Sequence, residues 1–229
     1  MAKPAFDADA LITMFENASS EGSAKLRKSV ADATLKALQG RELTLRNIRA
    51  VLGTVTQAAS TGLANNPAAV DADKLLDQAV AGMDDALLKA VDAHRVALQQ
   101  LAAQGADLRD KHLKKALADL DRFEDMMLET VQKSAAGAGD QLASAWAPVL
   151  GRMQAGGTAS GAQAAAAVEQ LQSQMKQVQD AVRGTRATGL RAAQALAESY
   201  TAMVSGVLIG MTDAMRPSGT GSASRKSAK

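Results

Sequence analysis

From Leu26 to Met211 the apolar residues return every three or four positions, and no comparable run alternates in twos. That spacing suits one face of a helix and leaves a sheet no face to bury. Leu26, Val30 and Leu38 mark a short helix, and Leu45, Ile48, Leu52, Val55 and Ala59 the next. A longer stripe runs through Leu76, Val80, Met83, Leu87, Val91, His94, Leu98 and Leu101, then resumes through Leu113, Ala116, Leu120, Phe123, Met127 and Val131. Leu142, Trp146, Val149 and Met153 form a stripe interrupted by Pro148, which lacks an amide donor and predicts a kink or a helix start. The last stripe runs from Val168, Leu171 and Met175 through Leu196, Tyr200, Met203 and Val207 to Met211. Its four/three alternation predicts a supercoiled seam.

Gly22, Gly40, Asn65-Asn66-Pro67, Gly105, Gly137-Ala138-Gly139, Gly156-Gly157 and Pro217 punctuate these stripes. The fold class predicted is all-α: an elongated helical bundle or coiled coil with a long C-terminal helix and a disordered basic tail. Three regions follow: amphipathic helices over 1–139, low-charge alanine-rich helices with the seam over 140–215, and the tail over 216–229. The core is thin, because 50 of the 229 residues are alanine and only five are Phe, Tyr or Trp.

Without cysteine there is no disulfide framework, thiolate metal site or cysteine nucleophile, and nothing requires an oxidising compartment. A cytoplasmic address is expected. The N-terminus places Asp7 and Asp9 before a very short apolar run and does not read as a signal peptide. Met203 to Met211, the most apolar window, falls well short of the roughly 20 residues of a spanning helix.

Candidate chemical constellations fail one by one. His94 lies on the long stripe, where it reads as a seam histidine bonded to a partner helix, and His112 beside Asp110 and Lys111 reads as solvated. Neither has a second His at i+4 or a Glu three residues before it. Asp71, Asp73 and Asp77 resemble the first ligands of a calcium loop, but Leu76 replaces the turn glycine and Gly82 the bidentate glutamate. They read instead as carboxylates at the positive end of a helix dipole. Gly151 to Thr158 has the glycine spacing of a phosphate loop, but Gly157 stands where its lysine must be, so the segment reads as a flexible break. The pairs Asp84-Asp85 and Glu124-Asp125 read as solvent-facing. No catalytic, cofactor-binding or metal-binding set emerges, and a non-enzymatic role is expected.

Charge is distributed unevenly. The last 14 residues carry Arg216, Arg225, Lys226 and Lys229 and no acid, leaving the remainder with 22 basic and 24 acidic residues. Any nucleic-acid contact therefore belongs to the tail and would be weak, non-specific and salt-dependent. From Gln141 to Val168 the only charge is Arg152, and Ser199 to Thr212 has none. Helices with so few charges usually meet something on their second face: another subunit, a lipid or polymer surface, or a neighbour in the same bundle.

An alanine-rich, cysteine-free, aromatic-poor helical chain with low-charge amphipathic helices, a coiled-coil segment and a small basic tail resembles the bacterial phasins. The composition equally describes an uncharacterised alanine-rich helical family of proteobacteria. The phasin resemblance implies amphipathic helices lying on polyhydroxyalkanoate storage granules, a coiled coil that oligomerises the coat and, in some members, a DNA-touching tail. The tail here is much shorter than the Lys/Ala/Pro tails of those members. The expected function is thus a self-associating, surface-coating protein, cytoplasmic and granule-associated. Its surface or oligomer seam would comprise Trp146, Val149, Leu196, Tyr200, Met203, Val207, Leu208 and Met211. The ordinary reading of the same residues is an intramolecular bundle core, and both roles can be partly true. The alternatives are a homo-oligomeric coiled-coil scaffold and a nucleoid-associated protein acting through the tail.

Overall fold

A computed structural model describes residues 7–19, 22–39, 44–66, 71–103 and 111–182. Among them the chain forms helices and no strand: α1 (Ala8–Glu16), α2 (Ser23–Leu38), α3 (Leu45–Ala64), α4 (Ala72–Ala103), α5 (Lys111–Asp121), α6 (Phe123–Ala136), α7 (Asp140–Gly156) and α8 (Ala159–Val182). The all-α class holds for these residues.

α4 has 32 residues, about 48 Å of helix at 1.5 Å per residue. Its buried positions come in adjacent pairs: Leu75 with Leu76, Ala79 with Val80, Ala86 with Leu87, Ala90 with Val91, and Ala97 with Leu98. A helix at the edge of a bundle buries one stripe, and doubling every position widens the buried arc until partners fit on several sides. α2 and α8 are the main partners of α4, with α7 and α3 beside them, while α1 and α6 pack on α3.

Two glycines set how closely the N-terminal helices approach. A Cβ on Gly82 of α4 would lie 2.9 Å from Val30 Cβ and run into the Arg27 carbonyl of α2. A Cβ on Gly62 of α3 would collide with the α1 backbone at Ile12 and with Phe15. At both crossings backbone rests on backbone, which only a residue without a side chain permits. Polar contacts close the same seams: Arg27 forks onto Asp85 at 2.6 and 2.7 Å, and buried Asn66 Nδ2 donates to the carbonyls of Phe15 (3.1 Å) and Ala18 (2.8 Å).

Four details differ from the sequence reading. α1 is a true helix: Asp7 accepts from the Ala10 amide at 3.1 Å, and Leu11 and Phe15 are buried. The stripe from Leu113 to Val131 is broken at Arg122 into α5 and α6. α7 continues through Pro148, which stands on the helix's exposed face. The segment read as a flexible break is mostly helix, interrupted only at Gly157 and Thr158. Leu196, Tyr200, Met203, Val207, Leu208, Met211, Arg216, Arg225, Lys226 and Lys229 lie outside the described residues.

Candidate functional site

From Gln141 to Val168 the α7–α8 region carries one charge, and its apolar stripe points into the bundle. Leu142, Trp146, Val149 and Met153 of α7 and Ala164, Ala167, Val168, Leu171 and Met175 of α8 are buried in the same cluster as the N-terminal helices. Trp146 and Val149 are each 1% exposed. Of the roles their sequence left open, these two side chains fill the intramolecular one. The Trp146 indole Nε1 donates to Ser60 Oγ of α3 at 3.1 Å, and Ser60 Oγ donates onward to the Thr56 carbonyl at 3.0 Å. The buried ring's one polar atom is thereby satisfied.

The outward faces are different. Ala143, Ala147, Pro148, Gly151 and Ala155 of α7 and Ala162, Ala165 and Ala166 of α8 are exposed. The single charge in this stretch, Arg152, is held by Asp77 of α4 at 2.6 Å.

The junction between α7 and α8 is built from carboxylates and glycines. Asp84 of α4 accepts from the Ala159 and Ser160 amides, both at 2.9 Å, and Glu124 of α6 accepts from the Thr158 amide at 2.8 Å. Thr158 Oγ1 accepts from the Gly161 amide at 3.0 Å. These groups occupy the positive end of α8, where unpaired amides favour an anion. The place a phosphate would take in this glycine-spaced loop is filled by the chain's own carboxylates. Gly157 has φ +67°, and a Cβ on Gly161 would lie 2.6 Å from Glu124 Cδ, so both glycines clear room for that side chain. Asp84, Asp85 and Glu124 are therefore interhelical links rather than the solvated carboxylates read from sequence.

His94 is 5% exposed and hydrogen-bonded to the backbone of Ala116 in α5. Burial lowers its pKa to about 4, and the Ala116 bond acts weakly the other way. The imidazole is thus neutral near pH 7, as a seam histidine should be. It borders a cavity of about 20 Å³, lined mainly by Leu45, Ile48, Ala90, Val91, Leu120 and Phe123 with Asp119 at its edge. That is room for about one water. The side chain of His112 lies outside the described residues.

A larger, polar cavity of about 390 Å³ opens where α3 and α6 end, lined by Gln57, Ser60, Thr61, Asn65, Lys133 and Ser134. Amides, hydroxyls and one ammonium line it, with no carboxylate or imidazole to move a proton. Among the described residues no three His, Cys, Asp or Glu side chains gather closely enough to hold a metal, and no helix is long and apolar enough to cross a membrane.

No curated protein and no solved structure matches the chain. The model of a family of unknown function, DUF6781, matches residues 1–217, and the chain belongs to that family.

Proposed function

We propose that this chain is a non-enzymatic, phasin-like coating protein. It adsorbs on a hydrophobic surface such as a storage granule and associates with its own copies through the amphipathic sequence that follows α8. The observation that carries this reading is the outer face of α7 and early α8. It presents mainly alanine, glycine and proline, and between Gln141 and Val168 its one charge, Arg152, is paired with Asp77. Such a face leaves few charges to desolvate, while each Å² of apolar area withdrawn contributes roughly 25 cal/mol. The charge-free sequence from Ser199 to Thr212 continues the same character. Val207→Glu with Met211→Glu should abolish flotation with polymer granules and retention on apolar beads. Loss of the oligomer with granule binding untouched would sink the surface reading.

A second reading, a homo-oligomeric scaffold, is favoured by one observation. Ala143, Ala147, Gly151 and Ala155 recur every four residues on the exposed side of α7, and nothing lies within 4 Å of a Cβ placed on Gly151. Small residues at this spacing let another helix approach closely. If that ridge is the contact, Ala147→Arg should dissociate the oligomer in sedimentation velocity and leave bead retention unchanged. The family match ends at Pro217, so Arg225, Lys226 and Lys229 lie beyond the matched segment.

A further inference from the structure

The helices before Gly137 and those after it are joined to the fold in different ways. α2 meets α4 at Gly82 and α1 meets α3 at Gly62, backbone against backbone, so neither pair can part without leaving a groove shaped for its partner alone. α7 and α8 make no such crossing. They lie end to end, pack on α3, α4, α5 and α6, and scarcely touch each other. Within the described residues one strand of backbone, Gly137-Ala138-Gly139, ties them to the body. Gly139, the N-cap of α7, sits at φ +82° with nothing within 4 Å of its Cβ position, a backbone conformation that glycine alone takes up readily. What fastens them is an apolar stripe, the buried Trp146–Ser60 hydrogen bond and a set of polar links at or near the α7–α8 junction: Arg152 to Asp77, Glu124 to the Thr158 amide, and Asp84 to the Ala159 and Ser160 amides.

We propose that α7 and α8 form a detachable arm, pivoting at Gly137–Gly139 and latched by Asp84 and Glu124, which lifts from the body when the protein meets an apolar surface. The inference rests on the surface-coating reading and supplies its missing step. In the closed bundle the large apolar side chains of the arm face inward, while small residues together with polar ones such as Ser144, Gln154, Gln170 and Lys176 face out. Lifting lays Trp146, Val149, Leu171 and Met175 on the surface at the expense of the Trp146–Ser60 bond, and the α4 face that α8 covers must be taken up by the same surface. The latch then sets how readily the exchange starts, because its carboxylate-to-amide bonds have no counterpart on an apolar surface.

The absence of cysteine allows a clean lock. A Cβ on Gly161 would lie 2.9 Å from Glu124 Cβ, within about 1 Å of the spacing that a disulfide spans. Glu124→Cys with Gly161→Cys should therefore pin the arm when oxidised and free it when reduced. The probe is triolein droplets coated with dibrominated phosphatidylcholine, which quench a tryptophan that enters the coat. Wild-type and reduced double-variant protein should bind with Trp146 quenched, and the oxidised form should neither bind nor be quenched until dithiothreitol is added. Asp84→Asn, which leaves the arm unlocked but weakens the latch, should adsorb about tenfold faster. This keeps the test open if the double variant does not fold. Binding by the oxidised form, or an unchanged rate for Asp84→Asn, overturns the arm while leaving the surface reading intact. Failure of every form to bind overturns the surface reading and the arm with it.

Discussion

The buried histidine makes a quantitative demand on acid stability. His94 has a pKa of about 4 in the folded protein against 6.5 for a free imidazole, with desolvation as the main cause. Above pH 6.5 the ring is neutral in both folded and unfolded chains and costs nothing. As pH falls through 6.5 the unfolded chain binds a proton that the folded one refuses, so stability drops until about pH 4 and then levels off. The full gap corresponds to about 3 kcal/mol, and from pH 7.5 to pH 5 the loss is about 2 kcal/mol. His94→Gln keeps an N–H for Ala116 but cannot titrate. Urea titrations followed by far-UV circular dichroism and Trp146 emission at pH 7.5, 6 and 5 give both slopes. Carboxylates, including Asp119 at the same cavity, are common to both proteins and cancel in the difference. The variant should lose about 2 kcal/mol less than wild type over this range. Parallel pH dependences would refute the reasoning, since they would mean that the ring is hydrated or already charged in the fold.

Three further outcomes are expected from packing. Gly82→Ala forces α2 and α4 apart and should cost about 2–3 kcal/mol, whereas Gly151→Ala, with open space around it, should add about 0.5–1 kcal/mol; paired thermal melts separate them. Thr34 is fully buried with its hydroxyl unbonded, so Thr34→Val should raise the urea midpoint by the equivalent of about 1 kcal/mol; a lowered midpoint would reveal a missed partner. Trp146→Phe empties part of a packed site and strands Ser60 Oγ without its donor. It should lower stability by about 2 kcal/mol, more than the same change at an exposed ring could.

The long stripes were readable because α4 and α6 bury residues at the spacing a helix must use. α1 was not, because in nine residues only Leu11 and Phe15 are buried, too few to show a period, although Asp7 before them is an ordinary start signal. The break at Arg122 has neither glycine nor proline beside it, and the apolar spacing runs through it unchanged. At the α7–α8 junction the difficulty is chemical: a carboxylate on a polar face reads the same whether it meets water or the amides of another helix. Asp84 and Glu124 are therefore indistinguishable in sequence from the exposed Asp125. Gly82 and Gly62 likewise reveal their purpose only once the partner backbone is in place. Trp146 and Val149 read in the sequence as part of an apolar stripe, and a stripe does not state which surface it faces; here it faces the chain's own core.

The burial of α4 on several sides bears on how the protein is made. Synthesis completes Ala103 of α4 79 residues before Val182 of α8. At roughly 5–20 residues per second, that is on the order of 10 s. For that interval the ribosome-bound chain holds a long helix whose later partners do not yet exist. Nascent-chain handling by a holdase should therefore matter most in the window between α4 and α8, and synonymous changes that slow decoding of residues 104–182 should raise the fraction lost to aggregates.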